Sequence, residues 1–120
     1  MSRPDERGFA SVVLLAMSSV LALVAMVVVA LASVGLARHR AAGVADLAAL
    51  AAADRTYEGD ASACAAAARV VSRADADGVR LAFCQLLAGL GGPVEITVTV
   101  RPSGPLGVLG QATATARAGR

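Results

Sequence analysis

Hydrophobic and polar positions follow three regimes along this chain. From Gly8 to Ala37 there are thirty consecutive positions without a charged side chain. From Arg38 the apolar residues recur at helical spacing, and from Val79 onward they alternate with polar ones. About 20 apolar residues cross the hydrocarbon core of a bilayer as a helix, and thirty reach roughly 45 Å at ~1.5 Å per residue. The pattern predicts a polar leader over 1–8, a transmembrane helix over 9–37 that starts abruptly at Phe9, and a small extracytoplasmic domain over 38–120. A cleaved secretory signal competes, because Ala30-Leu31-Ala32 has the small-x-small pattern of a cleavage site before Ser33. Such a signal carries only about 7–15 apolar residues. A buried helix of a soluble core is the weaker alternative, since no other apolar run could cover it.

Beyond Ala37 the helical pattern continues. Arg38 to Ala53 contains no Pro, with Gly43 as its one weak point, so one helix of about 45 residues is predicted to leave the membrane. Its apolar stripe reads Val44, Leu47 and Leu50 or Ala51. The loop Asp54–Asp60 ends it, and Asp60 or Ser62 can cap a second helix running to about Ala76 with Ala61, Cys64, Ala68 and Val71 inward. After Asp77-Gly78 a first strand alternates Val79, Leu81 and Phe83 against Arg80 and Ala82. A second sets Val94, Ile96, Val98 and Val100 against Glu95, Thr97, Thr99 and Arg101. Past a turn region with Pro102, Gly104, Pro105 and Gly107, a third runs from Gln111 to Arg117 with Ala112, Ala114 and Ala116 on one face. The fold class is therefore α+β: a long N-terminal helix, a second helix and a three-stranded antiparallel meander. Val44, Leu47 and Leu50 should pack on the Val94, Ile96, Val98 and Val100 face.

Composition narrows the picture. The only aromatics outside the apolar segment are Tyr57 and Phe83, so the domain has little bulk to bury and needs a staple or a partner. Cys64 and Cys84 are the only cysteines. A bond between them would close a loop of about twenty residues, contributing on the order of 3 kcal/mol, and would place the domain on an oxidising side of the membrane. Two free buried thiols are the alternative; two Cys and a distant His39 do not make a tetrahedral zinc site. Strict alternation creates a conflict, since inward Val79, Leu81 and Phe83 send Cys84 outward. The bond therefore requires a bulge, or a strand that ends at Phe83. Basic residues flank both ends of the apolar segment, so orientation follows from the inferred bond: N-terminus cytoplasmic, domain outside, in a single-pass cell-membrane protein.

Net charge is +2 and all eleven basic residues are Arg, spread along the chain, which does not point to nucleic acid. Residues for catalysis are sparse. His39 sits between Arg38 and Arg40 at the membrane boundary, and Asp54, Glu58 and Asp60 lack the spacing of a calcium loop. No glycine-rich stretch follows a strand and opens a helix. The reading is a non-enzyme without a cofactor or metal. Asp46 stands alone in an uncharged run from Ala41 to Ala53, either as a solvating charge or as a contact for a partner. Ser18, Ala22, Ala25 and Ala32 share one helix face, where another helix could approach to form a homo- or hetero-oligomer.

A charged leader ending in Gly, then Phe and an apolar helix entering a small cysteine-bearing α+β domain, resembles a type IV pilin. Arg7-Gly8-Phe9 resembles the junction cut by prepilin peptidase, with Gly8 and Phe9 flanking the bond. The run from Arg38 to Ala53, with Ala45-Asp46-Leu47-Ala48-Ala49-Leu50-Ala51-Ala52-Ala53, is similar to a segment of TadE/TadG-like proteins of tight-adherence (Flp-type) pilus systems. The match is closest to their short actinobacterial TadE-like branch, in which a Cys pair and a terminal Ala-Arg-Ala-Gly, here Ala116 to Gly119, also recur. The resemblance implies a pilin-like fold, a place in pilus assembly or a related secretion system, and pilin-like or Tad-system membrane proteins as partners. Pilins that enter the filament carry Glu at the fifth position after the cut, where this chain has Val13. A membrane-retained assembly factor is therefore implied beside a minor pseudopilin. An anchored or secreted binding or regulatory module unrelated to pili is the competing class.

Overall fold

The computed structural model describes residues 5–74, 78–102, 104–108 and 110–119, and side chains within these except those of residues 5–7, 105 and 106. In chain order they form α1 (Asp5–Ala53), a short 3₁₀ turn (Thr56–Glu58), α2 (Asp60–Arg73), β1 (Val79–Leu86), β2 (Val94–Val100), a second 3₁₀ turn (Pro105–Val108) and β3 (Ala112–Ala118). The class is α+β, with an antiparallel sheet in the order β1-β2-β3. By packing, the chain divides into Met1–Ala32 and Ser33–Arg120.

In the first unit, α1 already includes Asp5, four residues before the expected start at Phe9. Its apolar side chains are exposed, Leu14, Leu21 and Met26 among them. The helix is long and apolar enough to cross a membrane, and none of its most apolar window is buried within the protein. The Ser18 and Ser19 hydroxyls donate to the Leu15 and Ala16 carbonyls at 3.0 and 2.8 Å, so neither needs water. Ser18, Ala22, Ala25 and Ala32 are exposed.

The second unit buries one face of α1, one face of α2 and one face of the sheet in a single cluster. All four expected β2 residues, Val94, Ile96, Val98 and Val100, point into it, and Ala112 and Ala116 follow from β3. On α1 the buried residues are Ala37, Ala41, Ala45, Ala48, Ala49 and Ala52. Val44 is half-buried against the cluster, but Leu47 and Leu50 are both 60% exposed, which overturns the expected stripe. Residues advance about 100° around a helix, so Ala41, Ala45, Ala48 and Ala52 fall together while Leu47 and Leu50 fall on the far side. The branched β2 side chains already fill the interior, leaving room there for methyl groups.

On α2 the buried set is Ala63, Ala66, Ala67 and Val71. Ala61 and Ala68, expected inward with Cys64 and Val71, are exposed, and Cys64 is half-buried. The stripe had been centred on Cys64, whereas the bond to β1 holds that residue at the edge of the buried face. The helix ends at Arg73, and the expected end near Ala76 lies outside the described residues. Its N-cap is Gly59, without a side-chain cap; neither Asp60 nor Ser62 caps it.

Strand β1 resolves the cysteine conflict by a bulge. Leu81 pairs with Val98 and Phe83 with Thr97, while the register shifts between them at Ala82. The inserted residue reverses the alternation. Cys84 consequently pairs with Ile96 and turns inward, and Phe83, expected inward, is 45% exposed. Regular pairing continues from Val94↔Ala118 to Val100↔Ala112 between β2 and β3.

Candidate functional site

Cys64 and Cys84 are bonded, with Cα atoms 5.9 Å apart, so the start of α2 is fastened to the end of β1. Asp60 adds a second fastening that the sequence did not reveal. Its Oδ1 accepts a hydrogen bond from the Leu86 N–H at 3.1 Å, because the first turn of α2 faces the last residues of β1. A residue read as a helix cap thus joins two elements 26 positions apart. The only signal for it was its spacing: Asp60 precedes Cys64 by one helical turn, and Leu86 follows Cys84 by one strand repeat.

The acidic loop before α2 is held by its own contacts. Arg55 donates to both Glu58 carboxylate oxygens, at 3.3 and 3.1 Å, and the Ser62 hydroxyl donates to Oε2 at 2.7 Å. The Ser62 bond and then the Arg55 bonds and charge hold the Glu58 carboxyl below its ordinary value, against a small opposing effect of desolvation. Thr56 is buried, and its Oγ1 donates to the Ala53 carbonyl at 3.1 Å. The Thr56 carbonyl accepts from Gly91 N–H at 3.2 Å. Gly91 has φ +77°, and a Cβ there would lie 2.6 Å from the Tyr57 ring, so only glycine fits beneath the aromatic face. Between these loops lies an open groove of about 450 Å³ lined by Leu50, Ala53, Asp54, Thr56, Tyr57 and Gly91 among others. Among the described residues no three His, Cys, Asp or Glu side chains are placed to share a metal ion.

The sequence-predicted site residues do not converge. Gly8 and Phe9 lie in α1 with Phe9 72% exposed. His39 and Asp46 are exposed on the same helix, and the cysteines are half-buried at the edge of the domain's core. What the structure leaves outward on α1, opposite the buried alanines, are Leu47 and Leu50 with Asp46 beside them; Leu36 lies on the same side three turns earlier with the exposed Arg40 between, and Tyr57 is 78% exposed beyond Leu50. Comparisons with protein-family models, with curated proteins and with solved structures give no match.

Proposed function

We propose that this chain is a membrane-anchored structural protein, a minor pseudopilin or assembly factor of a Tad/Flp-type pilus or a related secretion system. The observation that carries the reading is the outward leucine face of α1. A helix that is apolar enough to span a bilayer continues into a domain and keeps Leu36, Leu47 and Leu50 exposed on the side away from its own core. Leucine there adds little to the domain's own core, and an assembly partner gives it a purpose. The disulfide supports an oxidising, extracytoplasmic location for the domain with the N-terminus in the cytoplasm. Asp46, at the margin of the leucines, supplies a charge with which a partner can be recognised. Val13 in place of the filament-forming Glu favours an accessory role over bulk incorporation.

The test is to replace Leu47 by a photocrosslinking residue in the native host and identify what is trapped. Products containing membrane subunits encoded beside a secretion ATPase support the reading; crosslinks to unrelated proteins, or a deletion strain with normal surface fibres, refute it. A second reading, an anchored binding module with no enzymatic role, rests on the groove beside Tyr57. The same trap at Tyr57 distinguishes the two.

A further inference from the structure

The outward face of the sheet carries a second concave feature, remote in kind from the leucine surface. A depression of about 370 Å³ is lined by Gly78, Arg80, Thr99, Arg101 and Gln111. Strand register builds it. Arg80 pairs with Thr99, and Val100 with Ala112, so Arg101 follows outward one repeat beyond Thr99 and Gln111 lies beside it at the mouth of β3. Gly78 occupies the position across from Arg101: a Cβ built there would lie 3.9 Å from the Arg101 Cβ. Gly78 has φ +71°, a conformation glycine adopts freely, and its missing side chain opens the floor of the depression. Gly107 lies near the Arg101 stem as well: a Cβ built there would lie 3.6 Å from Arg101 Cγ.

Arg80, Arg101 and Gln111 line the depression with donors, the Thr99 hydroxyl donates to the Arg80 carbonyl at 3.5 Å, and no acidic side chain among the described residues takes part. Two other arginines have carboxylate partners, Arg55 with Glu58 and, on this same sheet face, Arg117 with Glu95. Arg80 and Arg101 are diagonal neighbours on adjacent strands, an arrangement in which like charges repel. An oxyanion between them reverses that repulsion. One bidentate arginine spans both oxygens of a carboxylate, whereas two guanidinium forks and an amide match the three or four oxygens of a phosphate group. The geometry points to a phosphate-binding site on the open face of the sheet, centred on Arg80 and Arg101 with Gln111 completing the donor set and Thr99 forming part of the wall. The site stands independently of any pilus role.

The experiment follows the arginine Nε–H and glutamine amide signals of the full-length protein in lipid nanodiscs by ¹⁵N NMR. Inorganic phosphate is titrated against chloride at equal ionic strength. Saturable shifts confined to Arg80, Arg101 and Gln111 are expected with phosphate alone. Arg80→Gln and Arg101→Gln should each weaken binding roughly tenfold, the scale of one charged hydrogen bond, while Arg69→Gln on α2 leaves it unchanged. Discs of phosphatidylcholine and discs containing phosphatidylglycerol separate the sources. Signals already in their bound positions in the anionic discs identify a lipid headgroup, and an equal response in both identifies a soluble phosphate. The proposal is overturned if chloride produces the same shifts or if both glutamine variants bind normally. It is equally overturned if only a glutamate-rich peptide binds, or if binding appears only after Asp77→Asn, because the chain's own carboxylate would then occupy the site.

Discussion

Replacing Ala48 by leucine should destabilise the domain more than truncating its neighbour Leu47 to alanine. Ala48 is fully buried, as are Ala41, Ala45 and Ala52 on the same face of α1, and across the cluster Ile96 and Val98 are equally inaccessible. Three extra carbons have nowhere to go without moving the helix from the sheet, a change that costs about 1–3 kcal/mol. A unit spanning Ser33–Arg120 has a total stability of roughly 4–13 kcal/mol. Its midpoint temperature should therefore fall by about 5–20 °C, at 4–8 °C per kcal/mol. Leu47 is 60% exposed, so Leu47→Ala loses less than half of a full burial, about 1 kcal/mol or less. Pulse proteolysis with trypsin across a urea series, on the full chain in a nonionic detergent, reads both. Arg69, Arg73, Arg80 and Arg117 supply cleavage sites within the domain. A neutral Ala48→Leu together with a Leu47→Ala cost of about 2–5 kcal/mol, the range for a buried leucine, would refute the assignment of the two helix faces.

Thiol labelling of the denatured, unreduced protein should modify neither cysteine, and reduction or Cys64→Ser should lower stability by about 3 kcal/mol, measured by the same proteolysis. Asp60→Ala removes the acceptor of the Leu86 N–H; a loss of about 0.5–1.5 kcal/mol is expected, with hydrogen exchange at Leu86 accelerated while that at Val98 follows only the global change. Glu58 has a depressed folded-state pKa, so its contribution is present above its unfolded value of 4.5 and is lost as pH falls through the lower folded value. Ser62→Ala should move its NMR titration midpoint upward, and an unchanged midpoint would show that the hydroxyl is not the main cause.

Where the pattern had one answer, the sequence was readable. In β2, Val94, Ile96, Val98 and Val100 alternate with polar residues, and only one register buries them. On α1 two faces were apolar, and hydrophobicity alone favoured the larger leucines over alanines 41, 45, 48 and 52. Which face turned inward depended on how much space the sheet left, a property of the assembled core rather than of the helix. The α2 stripe missed by one position for a related reason, because a disulfide fixes the distance between two backbones and not the centre of a buried face. That β1 needs either a bulge or an end at Phe83 was visible in the spacing of Phe83 and Cys84; which of the two, and the Asp60 contact to Leu86, which depends on how α2 meets β1, were not. The paired arginines at the end of the sheet were visible only as scattered charges until register set them side by side.

Ala82 is the supernumerary residue of β1: Leu81 and Phe83 oppose consecutive residues of β2, and nothing opposes Ala82. Excising it would leave Leu81 facing in, Phe83 out and Cys84 in, the orientations they have now, on an unbroken ladder. Excising Arg80 instead would require every residue N-terminal to the bulge to change faces or pairing. The strand therefore has one position at which its length can shorten by a residue without altering which side chains meet the core. Frameshifted alignments of diverged copies of this chain should gather their gaps there.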